Sequence, residues 1–258
     1  MRNIWTIMRK EFARILKDPK SIIILLLPGI MLYAIYSIVE HSSADQTAMN
    51  QYRSLVPLFI IIFLFVGCLV LAPDSIAGEK ERGTIATLLI TPIRRGQLAL
   101  GKIFSLSTMA CISAISSFLG LLFSLNLFGS GLSEHGFTLF LLILVVIITT
   151  VLLIMSVMCV ISAFARGVRE ASMFILPFML LSVVVCFATM TAGASPRLGL
   201  YFIPIYNSVK SITSIIDPDS PILSLNLCIT FISNIAYMAG CVFVLRVLFK
   251  SEKVMFSK

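Results

Sequence analysis

Apolar residues in this chain gather into six long stretches joined by short polar connections. They run Ser21–Val39, Leu55–Pro73, Ile103–Phe128, Phe137–Phe164, Ala171–Ala192 and Ile222–Leu245, and none contains Asp, Glu, Lys, Arg or His. A helix needs roughly 17–25 predominantly apolar residues to cross a hydrocarbon layer, and every stretch meets that length. Backbone amides in hydrocarbon must be satisfied within the segment or in a closed barrel. The period-two alternation of a barrel strand is missing, so the pattern predicts an all-α integral membrane protein. Six transmembrane helices make a single domain over residues 1–258.

The stretch before the first span has a different rhythm. Ile4, Met8, Phe12, Ile15 and Leu16 recur at helical spacing with Trp5 beside them, while Arg9, Lys10, Arg14 and Lys17 take other angles. This predicts an amphipathic helix within residues 1–20, lying in the membrane interface with its basic face toward lipid phosphates. Asp18-Pro19 ends it, because the residue before a proline is driven out of helical geometry. The basic flank resembles that of a signal peptide. The apolar run behind it exceeds the usual ~7–15 residues and has no small-x-small cleavage site, so the segment reads as a retained span.

Composition agrees with the pattern. Of 258 residues, 59% are hydrophobic and 12% charged, with a mean hydropathy of +1.04; soluble domains carry about 25% charged residues. Seventeen of the 20 Lys and Arg residues fall on one side of the six spans, leaving Arg53, Arg197 and Lys210 on the other. The basic-rich side faces the cytoplasm by the positive-inside rule, which puts both termini and residues 74–101 there, in a plasma membrane of bacterial type. The net charge of +8 is thus a topology signal with attraction to anionic headgroups, and implies no nucleic acid. Cys68, Cys111, Cys159, Cys186, Cys228 and Cys241 all lie in spans without a C-x-x-C pair, the usage of small apolar fillers. His41 and His135 sit in separate outer loops with no partner at ligand spacing; metal ligation is not expected.

The connection after the second span, Asp74–Gly101, has the most specific wording: "DSIAGEKERGTIATLLITPIRRGQLALG". Glu79, Lys80, Glu81 and Arg82 make a charged turn and Gly83 breaks it. Thr84 or a neighbour caps a short helix through Ile85, Leu88, Leu89 and Ile90. Thr91-Pro92 stops that helix, Arg94 and Arg95 follow, and Gly96 opens the next helix. A short amphipathic helix between charged turns suits docking on a protein partner. Gly78 and Gly83 stand five apart like the start of a phosphate loop. No Lys-Ser/Thr follows and no strand precedes them, so the chain is not expected to bind ATP or to carry a nucleotide-binding domain.

Glu79, Glu81, Gly83, Thr84, Leu88, Leu89, Thr91, Pro92, Arg94, Gly101 and Lys102 follow the order seen after the second transmembrane helix in type-2 permeases of ATP-binding cassette exporters. The sequence resembles that family closely over this segment and in layout over the whole chain. The resemblance implies the type-2 permease fold, with an N-terminal interfacial helix, a cytoplasmic coupling helix and outer re-entrant helices. It implies a separate ATPase subunit seated on Glu79, Glu81, Arg82, Gly83, Thr84, Leu88, Leu89, Pro92 and Arg94. It also implies ATP and Mg bound on that subunit, and a second permease copy, identical or paralogous. The loop wording resembles sodium-efflux permeases, but those have a large outer domain between the first two spans. Here that connection is only Glu40–Ser54. The compact layout is closer to short permeases for drugs, peptides or glycolipid precursors.

Two further stretches bear on transport. Residues 193–221 contain "LGLYFIPIYNSVKSITSII", too apolar for a solvated loop and broken by Pro196, Gly199 and Pro204. It reads as short helices entering the outer leaflet and returning. Tyr201, Phe202, Pro204, Tyr206 and Asn207 then either line an outer gate, as the resemblance implies, or form an interfacial aromatic belt. The third span carries Ala110, Ser113, Ala114, Ser116, Ser117 and Gly120, a small-residue stripe that lets another helix approach within the same subunit; the resemblance favours the first and fifth spans for the dimer contact.

The charge-free spans lack the intramembrane Asp, Glu, His or Arg of proton- and ion-coupled carriers. They also lack any His-Glu, Gly-x-Ser or Asp-rich constellation for an intramembrane enzyme. The expected function is an export permease for an amphipathic or lipid-like cargo, with no catalytic site of its own. A sodium-efflux permease is the alternative within the family, and a non-transporting scaffold or immunity protein the alternative outside it.

Overall fold

The computed structural model describes residues 19–42, 46–84, 95–124, 134–191, 198–216 and 224–249, together with Trp5, Arg9, Ala13 and Lys17. Trp5, Arg9 and Ala13 are helical and exposed; the apolar stripe expected beside them lies outside the described residues. The ordered elements are α1 (Pro19–Ser42), α2 (Gln46–Glu81), α3 (Arg95–Ser124), α4 (Glu134–Phe164) and α5 (Val168–Thr191). A 3-10 turn (Leu198–Phe202), α6 (Tyr206–Ile216) and α7 (Ser224–Leu248) follow. Among the described residues there is no strand.

Five helices contain segments long and apolar enough to cross a membrane: Leu55–Glu81, Gln97–Gly120, Leu141–Phe164, Val168–Thr189 and Leu225–Leu248. α1 holds a shorter apolar stretch, Ile22–Ile35, inside a helix of 24 residues. α2 has 36 residues, about 54 Å at 1.5 Å per residue, well beyond the ~30 Å of a hydrocarbon core. Its charged end therefore projects past the apolar layer. The sequence places a loop from Asp74, whereas the helix runs on to Glu81, because the carboxylates and ammonium of its last turn find partners on neighbouring helices. Gly83, with φ of 71°, then closes the helix in the left-handed geometry that glycine adopts without steric cost.

α2 is the hub. It touches α1, α3, α4, α5 and α6, while α1 lies mainly along α3 and α7 along α4. The core between them is apolar, built from Leu64, Phe65, Leu106, Met109, Ile147, Ile154 and Met158 among others. Without a hydrophobic drive between helices in lipid, close approach and interhelical hydrogen bonds decide which faces meet. At the α1–α3 crossing Gly120 lies against Gly29 so tightly that a Cβ on Gly120 would sit 2.8 Å from the Gly29 Cα. Ser116 Oγ accepts from the Gly29 amide at 3.1 Å and donates to the Leu26 carbonyl at 2.7 Å, beside Pro28, which brings no N–H of its own. Ser162 on α4 treats the Pro73 turn of α2 in the same way. Its Oγ accepts from Ala77 N at 3.1 Å and donates to the Pro73 carbonyl at 3.1 Å. Neighbouring hydroxyls thus stabilise proline-containing turns, one of the arrangements that make proline tolerable in membrane helices.

Burial is uneven. Within the chain 61% of the α2 segment is covered, against 22% for α5 and 17% for α7. Phe174, Leu180, Val184 and Phe187 on α5, with Ile232, Phe243 and Val247 on α7, are exposed. Such continuous apolar surface is foreign to a water-soluble monomer and natural for helices facing lipid or another membrane subunit.

Candidate functional site

Two regions carry polar chemistry. The first is the charged end of α2, where three consecutive side chains reach three different elements. Glu79 turns to α3 and meets Lys102 Nζ at 2.9 Å, the two side chains only 7% and 1% exposed. Lys102 Nζ also donates to the Ser75 carbonyl at 2.6 Å, so one ammonium holds α3 to two turns of α2. Lys80 turns to the far end of α4. Its Nζ donates to the carbonyls of Ala163 and, at 3.2 Å, Ala165, with the Glu170 carboxylate nearby. An ammonium at a helix carboxyl end complements the macrodipole. Glu81 turns to the start of α5, where its Oε2 accepts from Val168 N at 3.0 Å, as a carboxylate does at a helix amino end. Gly167 admits it, since a Cβ there would lie 3.0 Å from the same oxygen.

Arg82, Gly83 and Thr84 are exposed. Arg82 Nη2 bridges back to Asp74 Oδ1 at 2.8 Å over Gly78, where a Cβ would meet Asp74 and lie 2.9 Å from Arg82 Nη2. Thr84 Oγ1 donates to the Glu79 carbonyl at 3.2 Å and so closes the last turn of α2. Leu88, Leu89, Pro92 and Arg94 lie outside the described residues. Of the predicted coupling residues, Glu79, Glu81, Arg82, Gly83 and Thr84 thus form one end of the segment, and Lys102, a motif residue outside that set, anchors the other. Lys80 and Ser162 also lie outside the predicted coupling set. A charged triplet at the end of an apolar helix signals anchoring only once the neighbouring helix ends are known.

The second region lies between α4, α6 and α7. Asn207 is fully buried and its Nδ2 donates to Ser233 Oγ at 2.7 Å and Asn234 Oδ1 at 3.1 Å. Ser208 N donates back to Asn207 Oδ1 at 2.6 Å, and Thr150 Oγ1 donates to Ser208 Oγ at 2.8 Å. One turn further, Ser211 and Thr230 share a bond of 2.9 Å. Thr150 and Asn234 stand near the middle of the apolar segments of α4 and α7. The amino end of α6 therefore reaches the mid-height of the helices around it. The chain turns into α6 at Pro204-Ile205, and the left-handed residue is Ile205, φ 71°, a rare state for a β-branched side chain. The sequence points to Pro204 for this bend; the backbone strain sits on its buried neighbour. Tyr201 is buried and meets Tyr206 edge-on at 6.4 Å. Phe202 is exposed, and its carbonyl accepts from Tyr237 Oη at 2.8 Å, pinning the 3-10 turn to α7. Among the described residues no group of three or more His, Cys, Asp or Glu is placed to hold a metal ion.

Comparison with known proteins decides the class. The family described as ABC-2 family transporter protein matches residues 5–250. The chain belongs to that family. It is a multi-pass membrane protein of the ABC transporter permease type, all-helical over its described residues. Among relatives, it is 30% identical over 97 residues to the ABC transporter permease protein NatB of Bacillus subtilis, covering 36% of this chain and 25% of NatB. It is 31% identical over 118 residues to the probable ABC transporter permease protein NosY of Pseudomonas aeruginosa, covering 45% of this chain and 42% of NosY. The NosY of Stutzerimonas stutzeri is 29% identical over 121 residues, or 46% of this chain and 44% of that protein. The chain thus aligns with a quarter to under half of the length of these relatives, while the family match covers nearly all of it.

Proposed function

We infer that this ABC-2 family protein is the membrane permease of an ATP-driven exporter, working as a pair and powered by a separate ATP-binding cassette subunit. ATP and Mg belong to that subunit. The observation that carries the reading is the clamp at the base of residues 85–94: Glu79 on α2 and Lys102 on α3 meet in a buried ion pair at 2.9 Å. A segment with both stems locked together transmits a push to the helices behind it, where loose stems would absorb it. Its own apolar residues, Leu88 and Leu89, supply a face for the groove of a partner. This end faces the cytoplasm on the distribution of Lys and Arg.

The cargo reading rests on the spans. Away from their charged ends the walls are apolar and hydroxyl-bearing and lack charge, which suits an amphipathic or lipid-like molecule better than a carrier coupled to protons. α6 is a re-entrant helix of the outer half, and its contacts with the mid-height of α4 and α7 favour that placement over an interfacial belt. Tyr201, Phe202, Pro204, Tyr206 and Asn207 form the entrance to it and serve as the outer gate.

The test is reconstitution. The full-length permease in lipid nanodiscs is mixed with a candidate ATP-binding cassette ATPase from the same genome, and binding and ATP hydrolysis are measured. Stable association with stimulated hydrolysis supports the assignment. An ATPase that neither binds nor responds points to a membrane scaffold.

A further inference from the structure

Glu79, Lys80 and Glu81 are consecutive, yet they end on three separate elements: the start of α3, the carboxyl end of α4 and the amino end of α5. Only the first contact concerns the coupling segment's own stems. The other two grip residues 163–168, which span the tight turn between α4 and α5, from both sides. Lys80 holds the carbonyls of Ala163 and Ala165, and Glu81 holds the Val168 amide. The turn is short and internally braced, with Arg166 N donating to Glu170 Oε2 at 2.7 Å and Ala171 N to the Gly167 carbonyl at 3.0 Å. α5, which starts there, is among the least covered helices within the chain, so few contacts from its own subunit oppose a tilt.

We propose that Lys80 is a positioning residue that carries displacement of segment 85–94 to the α4–α5 turn, making α5 the helix that moves when the ATPase acts. The proposal rests on the coupling role given above to that segment. Its chemistry is the fixed geometry of one ammonium on the open carbonyls of a helix end, reinforced by a carboxylate on the next helix's amide. Both bonds radiate from the same turn of α2, so that turn cannot shift without pulling the α4–α5 connection. Lys102 completes the junction by making α3 share the motion.

Hydrogen exchange read by mass spectrometry tests this in the full-length protein in nanodiscs, comparing the native chain with Lys80→Met and Lys80→Arg. In the permease alone, Lys80→Met should raise amide exchange across residues 164–170 about fivefold or more, a modest coupling between sites. Lys80→Arg should restore protection by keeping the charged donor. Unchanged exchange in Lys80→Met overturns the clamp. With the ATPase bound, addition of a non-hydrolysable ATP analogue should alter exchange in both 85–94 and 164–170 of the native chain. In Lys80→Met only 85–94 should respond. A responding loop with a silent turn in the native chain, or a turn that still responds in Lys80→Met, overturns the relay. A loop that stays silent beside a bound, nucleotide-loaded ATPase overturns the coupling role itself and the relay with it.

Discussion

Lys102 and Glu79 form an ion pair of 2.9 Å with side chains 1% and 7% exposed, joining the helices on either side of residues 85–94. Two charges so nearly free of water are held by each other and by the Ser75 carbonyl. Removing one leaves the other buried without its partner, which costs about 3–5 kcal/mol, whereas removing both together costs much less. Lys102→Met should therefore lower the thermal midpoint of the detergent-solubilised protein strongly, and Glu79→Gln with Lys102→Met should regain most of the loss. Equal midpoints in the single and double variants would show that the pair carries no such coupling.

The α1–α3 crossing depends on two glycines. A Cβ on Gly120 would run into the backbone of Gly29, while a Cβ on Gly240 meets nothing within 4 Å. Backbone atoms cannot step aside as a flexible side chain does, so Gly120→Ala should separate the helices and cost about 1–3 kcal/mol. Gly240→Ala should stay within about 0.5 kcal/mol of the native protein. Thermal unfolding of both variants in one detergent decides between this account and a general intolerance to added bulk in the spans.

The polar cluster that seats α6 should behave as a unit. Asn207 takes part in hydrogen bonds with Ser208, Ser233 and Asn234. Interhelical hydrogen bonds in membranes average about 0.6 kcal/mol each, so Asn207→Ala should cost about 1–2 kcal/mol in unfolding. Asn226→Ala should cost less, because the Asn226 Oδ1 meets no hydrogen-bond partner among the described residues. Equal losses would assign the effect to helix packing in place of the network.

The helices were legible because their determinants are local. Apolar run length and the lack of charge place α2, α3, α4, α5 and α7, and Pro196, Gly199 and Pro204 announce a broken segment before α7. Gly83 closes its helix as its sequence context predicts. What the sequence hid depends on distant partners. Asp74–Glu81 reads as a polar loop by composition, yet it is helical because Lys102, Ala163, Ala165 and Val168 receive its charges. Nothing near Ile205 foretells its left-handed backbone, since a β-branched residue is among the last expected there. Asn207 reads from sequence as a residue of an outer gate or aromatic belt, and its polar partners emerge only when Thr150, Ser233 and Asn234, dozens of positions away or on the next helix, are brought beside it and Ser208.

Sidedness gives a separate prediction. Single cysteines in a cysteine-free variant should report opposite faces, because Lys and Arg gather on one side of the spans. A cysteine at Arg82 should resist an impermeant maleimide in intact cells and react after lysis. A cysteine at Arg197 should react from outside. Labelling of the Arg82 position in intact cells would invert the topology and remove segment 85–94 from reach of a cytoplasmic ATPase.

On the proposed function, residues 85–94 seat the ATPase. Leu88→Asp puts a carboxylate where an apolar side chain is to enter the partner's groove, and an unpaired buried charge is strongly unfavourable. The decisive measurement is ATP hydrolysis by the partner ATPase with native or Leu88→Asp permease in nanodiscs, at matched amounts of correctly inserted protein. Native permease should stimulate hydrolysis, and Leu88→Asp, although inserted normally, should not. Undiminished stimulation by Leu88→Asp, and likewise by Leu89→Asp, would contradict it.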